Sequence, residues 1–456
     1  MIGENLAGSR RRALVCFAVG IGRRLHGYRT RFPTLITSSM RFGGSFGLRT
    51  LGLLLGFAAN VLLARVLGPT EFGAYTLAFT IVTVLAVPLH DGTANLLMRE
   101  VARDVADARW ENLRGALLAS NGFVLIGAVA ALVLAAPVIL LHIPPGDRVL
   151  WWSAVALLPF FSLANLRGAA LLGLGRSVWA QIPDQIVRPG ALSLGLAATA
   201  LVFHRKLGAG GAMMVHLAAA GCAFAVGTSL MISALPEDVR RAAPKYRMRA
   251  WMRSLPPLSL LSGVQVMNGS LAVLLLDRFA TKSEISSFRI AFLGSSLLGI
   301  GMAVGAQILA PQIAELKIRG TPGQLQRRVR TVIRIMLGTA LPPAVGILIF
   351  IHPLIHLIFG DQYIGAQLPI DVLILGQLIT ASTGAAGILL LMTGHENAIL
   401  RTIIGATLIN ALLGFALVPA MGALGAAIAS TVAMAASSLG MVWQAKKLTG
   451  IRCTPW

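Results

Sequence analysis

The chain has 456 residues, of which 56% are hydrophobic and only 12% are charged, and its mean hydropathy is +0.77. Soluble domains carry about 25% charged residues, so this composition excludes an ordinary soluble protein. A net charge of +22 would favour nucleic acid as a partner of a soluble chain. Here the basic residues lie between apolar blocks, which is typical of loops that face anionic lipid, and we expect no nucleic-acid partner.

Residues 1–44 are rich in arginine and contain one short apolar run, which ends at Arg23 and Arg24 without a small-residue cleavage site. This pattern does not fit a signal peptide. Two interpretations stand: a basic cytoplasmic tail that lies on the membrane surface, or a disordered or incorrectly assigned extension.

Apolar blocks of membrane length follow, since a helix needs about 20 apolar residues to cross roughly 30 Å of hydrocarbon. Gly68-Pro69 interrupts the first two blocks and predicts a tight hairpin between them. We therefore predict an all-α polytopic membrane protein of about twelve helices. The predicted spans are 45–66, 72–95, 116–138, 149–170, 180–203, 209–234, 256–279, 285–311, 332–352, 367–393, 399–418 and 423–444.

The distribution of Lys and Arg orients these spans. Basic residues are dense before the first span, in the loops 96–115, 235–255 and 312–334, and after the last span. The loops 353–366 and 419–422 contain no Lys or Arg. With an even number of spans, both termini are expected in the cytoplasm and the Gly68 turn outside.

The basic stretch 235–255 divides the spans into two groups of six. Aligning Arg65 with Arg278 also places Glu71 over Glu284. Because six is even, both halves enter the membrane from the same side and are related by an axis along its normal. Two such lobes enclose a cleft, as in a secondary transporter. The predicted domains are a tail (1–44), an N-lobe (45–234), a cytoplasmic linker (235–255), a C-lobe (256–445) and a second tail (446–456).

Chemical motifs of enzymes are missing from the sequence. It has no GxxxxGK[ST] phosphate loop and no HExxH motif, and Cys16, Cys222 and Cys453 are too scattered for a CxxC or a metal-ligand spacing. The predicted outer loops are too short for an aqueous site with paired acids or bases. We expect no enzymatic activity, no catalytic residues, no metal and no cofactor.

Several segments resemble the polysaccharide-unit (O-antigen and exopolysaccharide) flippases of the multidrug/oligosaccharidyl-lipid/polysaccharide exporter superfamily. "LLARVLGPTEFGAYTLAFTIV" and "HDGTANLLMREVARD" resemble the family's opening, and "FGDQY", "MTGHE" and "PAMGALGAAIA" come in its order. The resemblance implies a V-shaped pair of lobes in the bacterial inner membrane. It also implies alternating access and a cargo of oligosaccharide linked to undecaprenyl diphosphate, for surface polysaccharide synthesis.

Three arginines are candidates for a cationic cargo cavity, because a guanidinium grips phosphate oxygens in a fork. Arg49 lies near the start of the first span, Arg188 lies beside Pro189 in the fifth, and Arg289 lies in the eighth. Each has a structural alternative: Arg49 as an arginine that snorkels to the inner surface, Arg289 as the partner of a carboxylate or of outer headgroups. Arg188 is harder to explain as an anchor.

Ionisable residues within spans also suggest ion coupling, to which the resembling family points. His90 and Asp91 follow Pro88, which should kink the second span and free a carbonyl. Asp371 lies near the outer start of the tenth span. The alternative for each carboxylate is an ion pair with a neighbouring helix. Polar residues such as Asn268 and Asn410 are expected to join helices by hydrogen bonds.

Other functions remain open on the sequence alone. A multidrug or small-molecule exporter of the same superfamily would have a similar bundle, and a membrane scaffold of an export complex would need no cavity charge. A flippase for a lipid-linked peptidoglycan precursor usually has more helices. Besides the lipid-linked saccharide and membrane lipids, the basic loops suggest a polysaccharide polymerase or glycosyltransferase as a partner.

Overall fold

The computed structural model describes residues 47–203, 207–299, 321–455 and isolated positions between 302 and 313. Within these residues the regular elements are helical, and eight helices are long and apolar enough to cross a membrane. Two of the eight are double spans, because Gly68 (φ 76°) and Gly422 (φ 54°) break them. The helical segments 177–203 and Lys282–Ser296 add one span each. The predicted twelve-helix membrane fold is confirmed.

We number the spans in chain order and call the membrane face at Gly68 the outer face, following the predicted orientation. The N-lobe contains α1–α6 and the C-lobe α7–α12. The bounds are 47–67 (α1), 68–106 (α2), Trp110–His142 (α3), Arg148–Gly173 (α4), 177–203 (α5), Ala209–Ala234 (α6), Met248–Phe279 (α7), Lys282–Ser296 (the described part of α8), Pro322–Ile358 (α9), 367–393 (α10), 396–421 (α11) and 423–449 (α12).

Several helices extend beyond their apolar blocks at the inner face. The predicted loop 96–115 is helical to Ala106, and α9 begins at Pro322 instead of near 332. Thr321 starts α9 with a capping box, in which the Thr321 hydroxyl accepts from the Gln324 amide and the Gln324 side chain accepts from the Thr321 amide. Hydropathy marks only the part of a helix within hydrocarbon, so these polar turns are invisible to it. The predicted tail 1–44 lies outside the described residues.

Two N-lobe helices contain a π-helical turn that begins at or beside a proline. Pro88–Gly92 forms one in α2 and Ile182–Val187, with Pro183, forms the other in α5. Proline has no N–H and therefore interrupts the regular hydrogen-bond ladder. The Thr93 hydroxyl donates to the Pro88 carbonyl oxygen at 2.9 Å and satisfies one displaced acceptor. Both wide turns carry ionisable side chains, and both bear on the candidate site.

The internal repeat is visible in hydrogen bonding. The Glu71 carboxylate accepts from the backbone N–H of Ala209 at 2.7 Å, at the start of α6. The aligned Glu284 accepts from the N–H of Ala423 at 3.0 Å, at the start of α12. In each half, the second helix thus caps the first turn of the sixth, where unpaired N–H groups attract a carboxylate.

At the outer face the two lobes touch. Arg65 at the end of α1 donates to the carbonyl oxygens of Leu357 and Ile358, which end α9. The Tyr363 hydroxyl, fully buried, donates to the Ala64 carbonyl oxygen at 2.7 Å. These bonds satisfy carbonyls at helix ends that have no partner within their own helix.

Helix α7 packs on both lobes. Its inner half lies against α2, where a β-carbon on Gly92 would come within 2.0 Å of the Ser259 hydroxyl oxygen. Its outer half packs on α11, where the Asn410 side chain donates to the Asn268 side chain at 3.1 Å. The expected helix-to-helix role of these two asparagines is confirmed.

The segment after α12 folds back onto the inner end of α9. Gln326 both donates to the carbonyl oxygen and accepts from the N–H of Arg452, and Arg334 donates to the Pro455 carbonyl oxygen at 3.0 Å. Cys453 is fully buried in this contact. Burial raises the pKa of the Cys453 thiol to about 12, because a thiolate is poorly solvated there.

Cys453 should therefore resist alkylation in the folded protein at pH 8, since the thiolate is the reactive form. Peptide mass spectrometry after maleimide treatment measures the modified fraction. We expect little modification before denaturation and complete modification after it. Rapid labelling of the native protein would show that the segment is not held against α9.

Candidate functional site

A cavity of about 320 Å³ lies between the lobes. Helices α1, α2, α5 and α6 line it from the N-lobe and α8 lines it from the C-lobe. Asn60 of α1 and Gln185 of α5 contribute amides, and Phe57, Phe79 and Leu293 contribute apolar walls. The cavity is thus polar at selected points within an apolar surround, as ligand sites are.

Tyr75, His216 and Arg289 lie at one depth, because each is seven residues past the outer end of its helix. At 1.5 Å per residue this is about 10 Å from that end. The Tyr75 hydroxyl lies 2.6 Å from His216 Nδ1, and His216 also stacks on Phe79 with ring centroids 5.1 Å apart. Three helices therefore present one polar layer to the outer part of the cavity.

The two cavity arginines differ in how their charge is compensated. Arg188 lies 3.5 Å from Asp184, one turn earlier on α5, and its guanidinium lies 4.9 Å from the centroid of the Phe161 ring. Arg289 makes no hydrogen bond or ion pair with any residue that the structure describes. The excess positive charge can be balanced by an anion in the cavity, since a guanidinium away from bulk water needs a partner.

Arg49 does not join Arg188 and Arg289 in the cavity wall. It is exposed on the first described turn of α1, three residues before Gly52, where the lining begins. This position suits the alternative of an arginine at the inner membrane surface. The cargo role of the three arginines stays a prediction, with Arg188 and Arg289 brought together by the fold.

A second cavity of about 240 Å³ lies further toward the inner face, within the N-lobe. Asp91, Asn165 and Gln181 line it, and Asp184 and Gln185 line both cavities. The predicted coupling residue Asp91 therefore reaches a polar space that adjoins the arginine cavity.

His90 connects the two spaces through an aromatic ring. Its Nδ1 lies 3.0 Å from the Asp91 carboxylate and 3.0 Å from the Asn165 amide nitrogen. Its ring stacks on Phe161 with centroids 4.3 Å apart, and Arg188 contacts the same Phe161. A change of charge on His90 would be felt by Arg188 through this contact.

Asp371 lies apart from these residues, on α10 of the C-lobe. One of its carboxylate oxygens is buried and accepts no hydrogen bond from the described part of the chain. It lines neither cavity described above. Its proposed coupling role is therefore separate from that of His90 and Asp91.

Sequence reasoning did not single out Tyr75, His216, Phe161 or Asp184. A signal was present for two of them: Tyr75 is one of only four tyrosines, and His216 is a histidine within an apolar span. A polar group in a span is functional or satisfied by a neighbour, and the neighbour appears only when the helices are packed.

Residues 44–232 match the model of the family described as "Polysaccharide biosynthesis protein". The match covers α1–α6 and stops near the end of the N-lobe. No curated protein matches the chain.

Solved membrane transporters share the fold over nearly the whole length. An inward-facing multidrug resistance MATE family transporter of the MOP superfamily has a TM-score of 0.71 at 15% identity, covering 87% of this chain and 96% of that one. The lipid II flippase MurJ, in an inward closed conformation, gives 0.72 at 15% identity, with coverage of 88% and 87%.

An outward-facing MATE family transporter gives a lower TM-score of 0.60 at 16% identity, covering 89% of this chain and 97% of that one. The better agreement with inward conformations fits the contacts between the lobes at the outer face. This chain has the V-shaped, two-lobed fold of the MOP superfamily transporters, and its N-lobe matches the polysaccharide biosynthesis protein family.

Proposed function

We propose that this protein is a flippase of the bacterial inner membrane, with both termini in the cytoplasm. Its cargo is an oligosaccharide repeat unit linked to undecaprenyl diphosphate, which it moves to the outer leaflet by alternating access for surface polysaccharide synthesis. The observation that carries the proposal is the cavity between the lobes, which contains Arg188 and Arg289 with only Asp184 as a described counter-charge.

The chemistry of this cavity suits the proposed headgroup. A diphosphate is a strong acceptor of charge-assisted hydrogen bonds, and two guanidinium groups can bind it in forks. The tyrosine, asparagine and glutamine side chains offer donors and acceptors for sugar hydroxyls. The match of the N-lobe to a polysaccharide biosynthesis family supports the same class of cargo.

The second cavity supports coupling to an ion gradient. Asp91 and Asp184 offer carboxylate oxygens to a proton or a monovalent cation, and Asp184 is also the ion-pair partner of Arg188. Binding of a cation at Asp184 would weaken its hold on Arg188 and so change the charge available to the cargo. Asp371 is a further coupling candidate in the C-lobe.

The proposal is tested by deleting the gene in its own host and locating the lipid-linked saccharide. We expect the intermediate to accumulate in the cytoplasmic leaflet, with loss of surface polysaccharide and recovery on complementation. Accessibility to a glycan-modifying reagent in inverted and right-side-out vesicles distinguishes the leaflets. Normal surface polysaccharide with no intermediate would exclude the flippase.

The same strain separates the other candidates. A multidrug exporter predicts increased drug sensitivity with normal polysaccharide. A scaffold predicts loss of polysaccharide that is fully restored by a variant in which both cavity arginines are replaced.

A further inference from the structure

A basic basin lies at the inner face, outside the cavities considered so far. It has a volume of about 700 Å³ and lies between the start of α3 and the segment that leads into α7. Arg109, Lys245 and Arg247 give it three positive charges, with Glu111 as the opposing charge in its wall, and Trp110 adds an indole ring. Tryptophan is enriched at the membrane–water boundary, which places this basin at headgroup level.

The basic groups of the basin are available to a ligand. Lys245 is exposed and has no ion pair among the described residues. Arg247 lies 3.7 Å from Glu100, but that carboxylate already accepts from Arg103 at 2.5 Å and from Trp251 at 3.1 Å. Arg247 therefore contributes only a weak contact to Glu100 and retains free donors.

The basin has a fixed shape, because the segment before α7 is bonded to α3. The Arg114 guanidinium donates to the carbonyl oxygens of Arg240 and Ala242, both at 2.7 Å, and the Lys245 N–H donates to the Glu111 carbonyl oxygen at 3.0 Å. A β-carbon on Gly115 would lie 2.0 Å from the Lys245 carbonyl oxygen, so the two segments are in direct contact.

An apolar groove continues from the basin toward the membrane centre on the same two helices. On α3 the basin takes residues 108–112 and the groove takes residues from Ala116 to Phe123. On α7 the basin ends at Arg247 and the groove runs from Met248 to Leu255. Leu96 and Leu97 of α2 form its floor, and Met252 at its rim is 56% exposed.

We propose that the basin and groove together bind an anionic phospholipid of the cytoplasmic leaflet. The phosphate lies among Arg109, Lys245 and Arg247, and an acyl chain lies along the groove. Charge complementarity selects an anionic headgroup, and the direct continuation from basin to groove selects a ligand with a tail. The site joins α2 and α3 of the N-lobe to the inner half of α7.

Native mass spectrometry of the purified full-length protein, titrated with phosphatidylglycerol, tests the site. We expect Lys245→Gln and Arg109→Gln each to weaken binding by about fivefold, the size expected for one basic residue near an anionic lipid surface. Arg249→Gln is the matched control, since Arg249 is an exposed arginine of the same region outside the basin. Melting temperatures in detergent check that all variants are folded.

Four comparisons decide between sources of the phosphate and the alternatives to a site. Phosphatidylcholine, a short-chain phosphatidylglycerol and inorganic phosphate should all bind more weakly than long-chain phosphatidylglycerol. Equal binding of phosphatidylcholine, or equal losses in Arg249→Gln and Lys245→Gln, would overturn the proposal. Preferential binding of a polyprenyl diphosphate, lost in Lys245→Gln, would overturn it in favour of an entry site for cargo.

Discussion

Replacing Arg289 with alanine should weaken binding of the lipid-linked diphosphate by about 10- to 100-fold, the range expected for losing a hydrogen bond to a charged group. Transport should fall accordingly. The thermal stability of the apo protein should stay the same or rise, because Arg289 has no described partner that would be left unpaired. Binding of a polyprenyl diphosphate to the purified protein and a melting curve without ligand measure the two effects.

Two variants make this result specific. Arg278→Ala removes an exposed arginine at the outer end of α7 and should leave binding unchanged. Arg289→Lys keeps the charge but loses the fork, so partial recovery is expected. A fall in apo stability without a change in affinity would show that Arg289 is structural and that the cavity assignment is wrong.

Replacing Gly73 with valine should keep the lobes apart at the outer face. A β-carbon at position 73 would lie 1.8 Å from the Lys282 carbonyl oxygen, and backbone cannot rotate away as a flexible side chain can. Because Gly73 is on α2 and Lys282 begins α8, the clash falls between the lobes. We expect transport to be lost while the protein still inserts and folds, since each lobe is intact.

Accessibility of the cavity from outside measures this effect. In a background without other cysteines, Leu293→Cys places a thiol in the cavity wall. An impermeant maleimide added from the outer side should label it faster when Gly73→Val is present. Gly405→Val is the control, because a β-carbon on Gly405 meets no atom within 4 Å. Equal labelling rates in the two variants would contradict a closure that depends on Gly73.

The bilayer explains why the number of spans could be predicted. A helix that crosses hydrocarbon reveals itself in about 20 consecutive residues, so the signal is local. Gly68 was equally legible, because a residue between two apolar blocks that adopts φ > 0 is a turn. The repeat was detectable because Glu71 and Glu284 meet the same kind of partner, a helix N-terminus, in both halves.

The residues of the site could be predicted only in part, because a cavity depends on which helices meet. Arg49 and Arg188 look alike in sequence, yet only Arg188 lies on a helix that turns this face toward α8. The contact of His90 and Arg188 with Phe161 joins α2, α4 and α5 and has no trace in the spacing along the chain. Helix depth can be estimated from sequence, but helix rotation and neighbours are set by packing.

The carboxylate caps at Glu71 and Glu284 have a mechanical consequence. Each one fastens a lobe to itself, since its donor and its acceptor belong to the same half of the chain. A rotation of one lobe against the other leaves both fastenings unbroken. Only the seam made by Arg65, Tyr363 and Gly73 has to open and re-form, so this small seam sets the energy difference between the two end states.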